Sequence, residues 1–328
     1  MGISPKDLKY LCNQLGISPE TIKPLDSTYS DVYEFEKEEK KYILKLKKEK
    51  NTNLSWLQSE IEWLEYLSHH GLSVSCPIKY FNDSYFERFV VDEISYLSII
   101  YEKALGISPR EKYHDYKYYP ESFLFEWGRY IGKMHRLSKN FHPSPSFSRP
   151  SWINTIDFFD FGNYPPSQEK VCLKFQEQIK IFKGIKQENN FGLVHNDFLE
   201  DNFCLFNHQL TVFDFEDFGF NFFANDIAIP LFYPTIFNMW QADEQKNYAI
   251  YFLTHFLEGY RKENTLDLST MEMIPLFLKI REMDNYSMYY TDPTVKGNKI
   301  INKFMENRQE RIENDVPVLN IDFINDLN

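Results

Sequence analysis

The sequence predicts an α+β chain of two unequal lobes, a strand-rich N-terminal lobe over residues 1–103 and a mainly helical C-terminal lobe over 104–328. Three observations carry this. Two alternating apolar runs, at 31–36 and 42–46, flank a charged tip and read as an antiparallel pair. One long amphipathic segment follows at 54–70. Beyond Gly106, apolar residues recur mostly at helical spacing. A chain of 328 residues suits one large or two medium units, so two lobes around a cleft fit its length.

Taken in order, Leu8, Leu11 and Leu15 share a helical face over 7–15, and Gly16 closes that short helix. Val32 and Phe35 alternate with polar residues in the first strand, 37–41 is the hairpin tip, and 42–46 alternates again. Leu57, Ile61, Leu64 and Leu67 line one face of the long helix, and Gly71 is its stop signal. Short strands are expected at 77–81 and 89–91, followed by the apolar run 96–101. In the second lobe, 123–137, 245–260 and 271–290 read as helices. The interruption at 192–218 reads as strand, loop and hairpin, with Asn207, His208 and Gln209 at the turn.

With 43% hydrophobic and 26% charged residues, the composition is that of a folded globular chain. The net charge of −12 is spread along the chain, which argues against a nucleic-acid partner, since phosphate backbones need a basic face. Cys12, Cys76, Cys172 and Cys204 are far apart and form no C-x-x-C, and no signal peptide precedes them. Free thiols and a cytoplasmic location are therefore expected. The longest apolar stretch, 227–240, holds Pro230, Pro234 and Asn238 and falls short of the ~20 residues of a membrane span. Zinc spacings, a hydrolase elbow and a dinucleotide fingerprint are all lacking.

The chemistry concentrates at 193–216. His195-Asn196-Asp197 followed by Asn202 has the H-x-D-x-x-x-x-N spacing of a kinase catalytic loop. It puts a carboxylate where an acceptor hydroxyl can approach, and an amide oxygen where a metal can sit. Three fixed residues are weak evidence alone, but Asp214 then leaves a strand in Val212-Phe213-Asp214-Phe215-Glu216. A carboxylate at a rigid strand end suits Mg²⁺ held against nucleotide phosphates, because hard cations prefer oxygen ligands. Singly, Asp197 and Asp214 would be a turn aspartate and a strand cap; their joint spacing with His195 and Asn202 reverses that reading. His195 itself is expected to orient its neighbours through backbone hydrogen bonds rather than to do chemistry. Glu200, Asp201, Glu216 and Asp217 all lie close to the site, where acids can extend metal or acceptor binding; acids being abundant in this chain, Glu200 and Asp201 read as ordinary solvated ones.

This pattern resembles the aminoglycoside phosphotransferase family. Asn225-Asp226-Ile227-Ala228 is similar to that family's D-[IL]-A helix start, and Gly128-x-x-x-Gly132-x-x-His135 to its upstream helix. The resemblance spans most of the chain and implies a protein-kinase-like fold with ATP and Mg²⁺ as cofactors. It further implies transfer of the γ-phosphoryl group to a hydroxyl of a small-molecule acceptor held by the helical lobe. Asp197 would be catalytic, with Asn202 and Asp214 on the metal. Lys45, in Ile43-Leu44-Lys45-Leu46, resembles the strand lysine that touches the α and β phosphates, with Lys47 and Lys48 nearer the strand's end. Glu60, ahead of Leu64 and Leu67, resembles the glutamate that pairs with this lysine; Glu62 and Glu65 are the other claimants. Backbone groups of Glu102 and Ala104 would meet the adenine edge at the inter-lobe hinge. Two departures stand out: Asn196 replaces the usual glycine, and the phosphate-covering loop has no glycine, leaving Ser27 and Ser30 as its phosphate contacts. A protein Ser/Thr kinase of the same fold and a non-catalytic pseudokinase scaffold are the rival readings.

Overall fold

The computed structural model describes residues 3–25, 31–114, 117–152 and 164–327. Ser27 and Ser30 lie outside the described residues. Helix α1 (Pro5–Leu15) starts on a Ser4 cap with proline in its first turn and ends on Gly16 at φ 64°. A five-stranded antiparallel sheet follows, made of β1 (Lys23–Leu25), β2 (Asp31–Lys37), β3 (Lys40–Lys48), β4 (Glu87–Val91) and β5 (Ile94–Glu102). Its order is β1-β2-β3-β5-β4. The β2–β3 tip is tighter than the sequence suggests, because Glu38 and Glu39 both take positive φ and close the hairpin in two residues. No strand forms at 77–81: Pro77 has no N–H to donate and makes only an isolated bridge to Tyr101.

The two-residue period of the strands decides what each sheet face does. Tyr33, Phe35, Leu44, Leu46, Tyr96 and Ile100 point to one side and pack on Leu11 and Cys12 of α1. Their neighbours Leu97, Ile99 and Tyr101 point to the other side, toward α2 (Leu54–His69), whose Leu57, Ile61 and Leu64 join the same core. Lys45 therefore belongs to the face turned to α2 and the second lobe.

The second lobe opens with α3 (Pro109–Lys112), α4 (Glu121–Lys139) and α5 (Glu169–Lys183). Four short strands form two pairs, β6 (Phe191–Val194) with β9 (Gly219–Phe222), and β7 (Phe203–Phe206) with β8 (Gln209–Val212). The remaining helices are α6 (Phe223–Ile236), α7 (Ala242–Glu263), α8 (Leu268–Thr291), α9 (Lys299–Met305) and α10 (Arg308–Glu313). Every residue of α6 except Tyr233 is buried, so the chain's most apolar stretch is the central helix of this lobe. No helix among the described residues is long and apolar enough to cross a membrane.

Helices α4 and α7 cross closely enough to exclude side chains. A Cβ on Gly128 would lie 1.8 Å from the Phe256 carbonyl oxygen, and one on Gly259 would lie 1.9 Å from that of Phe125. Backbone cannot yield as a flexible side chain would. Gly128→Ala is expected to cost about 1–3 kcal/mol or more, the range of overpacked cores, despite alanine's better helix propensity. Urea denaturation checks it, and an unchanged midpoint would show that the helices separate freely.

Candidate active site

Strand β6 delivers the chain into a loop whose backbone is held from behind. Both carboxylate oxygens of Asp226, in the first turn of α6, accept backbone N–H groups, from His195 at 2.8 Å and Asn196 at 2.9 Å. Asp226 is itself backed by His135 Nε2 at 3.4 Å, and the Tyr260 hydroxyl meets His135 Nδ1 at 3.0 Å. Burial lowers the His135 pKa below the ordinary histidine value, which suits a neutral ring accepting from Tyr260 and donating to Asp226. Asn196 sits at φ 67°, in the left-handed region that asparagine tolerates better than most side chains. Its amide repays the departure from glycine: Nδ2 donates to the Asp217 carbonyl at 2.9 Å, and Oδ1 accepts from Asn221 at 2.9 Å and Asn225 at 3.0 Å.

Asp197 and Asn202 face each other across this loop. The Asn202 amide donates to the Asp197 carbonyl at 2.7 Å and to its Oδ2 at 3.1 Å, which leaves the Asn202 side-chain oxygen for another partner. Both ring nitrogens of His195 are committed to backbone. Nδ1 accepts from the Asp197 N–H at 3.3 Å and Nε2 donates to the Phe213 carbonyl at 3.2 Å, tying the loop to the residue before Asp214.

Asp214 also takes a left-handed conformation, φ 63° and ψ 57°, and turns the chain out of β8 toward the sheet. Lys45 Nζ meets Asp214 Oδ1 at 2.8 Å and Glu216 Oε1 at 3.1 Å, and Lys47 meets Glu216 at 3.0 Å. Burial works against the Lys45 ammonium, but Asp214 and Glu216 more than offset it, so its pKa lies above the ordinary lysine value. Burial likewise disfavours the Glu216 carboxylate, and Lys45 and Lys47 hold its pKa below the usual range. Asp217 makes no ion pair among the described residues; although its side chain keeps an exposed face, desolvation by the cleft walls, then the like charges of Asp197, Asp214 and Glu216, push its pKa up. Glu60 is buried on α2 and accepts from the Tyr101 hydroxyl at 3.3 Å. It is not among the ion-pair partners of Lys45, so the pairing implied by the resemblance is not a direct contact here. Strand alternation puts Lys45 and Lys47 on one face, and both ammonium groups pair with the 214–216 segment rather than with Glu60.

These groups open on one cleft of about 840 Å³, lined by Lys45, Glu60, Ala104, Asp197, Asn202 and Asp214 together with Lys103, Glu216 and Asp217. Glu102 is not brought there. It is exposed, its N–H bonds the Cys76 carbonyl at 3.1 Å, and its carbonyl accepts from the Ser75 hydroxyl. Among the described residues no cluster of three or more His, Cys, Asp or Glu side chains could hold a metal. The Asn202 and Asp214 oxygens alone fit a hard cation that takes the rest of its shell from phosphate and water.

Arg281, on α8, was not visible as a site residue in the sequence. Its Nη2 donates to Asp197 Oδ1 at 2.6 Å and its Nη1 to Asp284 at 2.8 Å, and the guanidinium lies 5.3 Å from the Tyr233 ring centroid. This contact fixes which way the Asp197 carboxylate points. Arg281→Met is expected to lower kcat by about 10- to 100-fold through misplacement of Asp197, with ATP affinity nearly unchanged and partial recovery in Arg281→Lys. Steady-state kinetics at varied ATP checks it; an unaltered kcat would remove Arg281 from the account.

Comparison with known proteins identifies the family of the chain. The model of the phosphotransferase enzyme family matches residues 21–266. The chain is 32% identical to the amicoumacin kinase of Bacillus subtilis (strain 168) over 314 residues, covering 94% of this chain and 91% of the relative. Among solved structures, an amicoumacin kinase in complex with AMP-PNP, Ca²⁺ and Ami superposes with a TM-score of 0.84 at 26% identity, over 97% of this chain and 95% of that one. A microcompartment-associated aminopropanol kinase shares the fold, with a TM-score of 0.71 at 15% identity over 95% of this chain and 98% of that one. The chain belongs to the phosphotransferase enzyme family and is a kinase-fold enzyme that transfers a phosphoryl group to the hydroxyl of a small molecule.

Proposed function

We propose that this enzyme transfers the γ-phosphoryl group of Mg·ATP to a hydroxyl of an amicoumacin-type antibiotic. The observation that carries the reading is the convergence of Asp197, Asn202, Asp214 and Lys45 on one cleft. Asp197 receives the acceptor hydroxyl and takes its proton as the new O–P bond forms and the bond from the γ-phosphorus to the β–γ bridging oxygen breaks, releasing ADP. Asn202 and Asp214 would hold Mg²⁺, which supplies charge neutralisation on the phosphates. Lys45 steadies the α and β phosphates, with Glu216 and Glu60 as the acids around it. The backbone of Ala104, which makes no hydrogen bond among the described residues, meets the adenine edge in place of Glu102. The lobes divide at 103/104, where the sheet has just ended at Glu102. Four free cysteines support a reducing, cytoplasmic setting.

Relatives named for amicoumacin support the acceptor class. An ADP-release assay with amicoumacin, spectinomycin, hygromycin B and 1-aminopropan-2-ol tests it. Amicoumacin is expected to give the highest kcat/KM; ADP release that no acceptor stimulates would overturn the acceptor assignment.

A further inference from the structure

Beyond α4 the chain runs on as a strap that ties α2 of the first lobe to β9 of the second. Ser59 and Glu62, three residues apart on α2, share the face that meets it. The Ser59 hydroxyl accepts the Ser148 N–H at 2.8 Å, and the Glu62 carboxylate accepts the Ser144 N–H at 2.7 Å and its hydroxyl at 2.6 Å. Glu62, a claimant for Lys45 in the sequence, is thus spent on the strap. On the other side the Pro150 carbonyl accepts the Phe220 N–H at 3.0 Å, and a Cβ on Gly219 would lie 2.7 Å from that oxygen.

Between these anchors stands Arg149, half-buried, with its guanidinium turned to backbone. Its Nε donates to the Phe218 carbonyl at 2.7 Å and its Nη2 to the Glu216 carbonyl at 2.6 Å. The guanidinium lies 4.0 Å from the Phe218 ring centroid and 5.4 Å from that of Trp56 on α2. A cation at this place caps the carbonyl end of the single helical turn Phe215–Asp217, which directly follows Asp214. The left-handed backbone of Asp214 persists only where its surroundings hold it. His195 holds the carbonyl of Phe213 before it, and Arg149 that of Glu216 after it.

Resting on the phosphotransferase reading, we propose that Arg149 is a positioning residue for the transfer. It clamps the turn after Asp214 and, through the strap, sets that turn against α2, so that Asp214 faces the metal while Glu216 stays with Lys45 and Lys47. Its action runs through the backbone. Arginine suits the task because its planar fork meets two carbonyls at once, which a lysine ammonium cannot do in the same geometry.

The test is calorimetric titration of the full chain with ATP at several magnesium concentrations. Arg149→Met keeps an apolar stem over Phe218 and removes the donors, so the magnesium needed for nucleotide binding is expected to rise by about tenfold, as for the loss of one hydrogen bond from a charged group. Arg149→Lys is expected to fall between that variant and the wild type. Ser144→Ala weakens the strap's hold on Glu62 but leaves Arg149 in place, and is expected to keep the wild-type magnesium requirement. A folded Arg149→Met with the wild-type requirement, or an equal rise in Ser144→Ala, overturns the positioning role. Should Arg149→Met not fold, Arg149→Lys decides by the same titration, and a requirement equal to the wild type's overturns the role. Acceptor-stimulated ADP release is measured separately on the wild type; its absence strikes the phosphotransferase reading and leaves the binding result to judge Arg149.

Discussion

Asp197→Asn is expected to bind Mg·ATP almost as the wild type does while turnover falls by about 10²-fold or more, the range of positioned general bases. The substitution keeps the side chain's size but removes the charge that draws the acceptor proton. It also disturbs the carboxylate's two partners. Oδ1 accepts from Arg281 and Oδ2 from Asn202, so an amide must set its NH₂ against one of these donors. The loss should therefore appear in kcat rather than in nucleotide affinity. Calorimetric titration of Mg·ATP, paired with ADP release, separates the two; wild-type turnover in this variant would remove Asp197 from its role.

Asp214→Asn is expected to fail in a different way. Its side chain is partly exposed, and Lys45 retains Glu216 when Asp214 loses its charge, so the fold should persist. What disappears is the only anionic metal ligand proposed here, since Asn202 contributes a neutral oxygen. The magnesium concentration needed for nucleotide binding should rise steeply, and activity should return partly, if at all, at high magnesium. Nucleotide titrations at several magnesium concentrations measure this. An unchanged magnesium dependence would place the metal elsewhere.

The placement of the two aspartates in one cleft was legible because both lie at short, fixed spacings near strand ends, where local sequence dictates geometry. Lys45 was legible for the same reason, as a polar residue in an alternating strand. The role of Lys47 follows from the same alternation: two residues on, it shares the face of Lys45 and meets Glu216. Arg281 carried no signal, since it is one charge among many on a long helix, 84 residues from the carboxylate it holds. Glu200 reads as an ordinary acid yet is only 3% exposed, because burial of an acid depends on which helices close over it, and neighbouring residues do not reveal that. In the fold, strand alternation and helical spacing identified the main elements, but β1 and β9 are three or four residues long and gain their pairing from distant partners. The contact between α4 and α7 was likewise hidden, because Gly128 and Gly259 matter only once the helices are brought together.

The loop from His195 to Asp214 is expected to move phosphate to a small molecule and not to the protein itself. The most direct measurement is to incubate the enzyme with γ-labelled ATP, magnesium and amicoumacin, then separate protein from small molecules and follow the label in the wild type and in Asp197→Asn. Label is expected on amicoumacin with the wild type, little on the protein, and about 10²-fold slower labelling in the variant. Label that accumulates on the protein while the antibiotic stays unmodified, or transfer at equal rates in both enzymes, would contradict it.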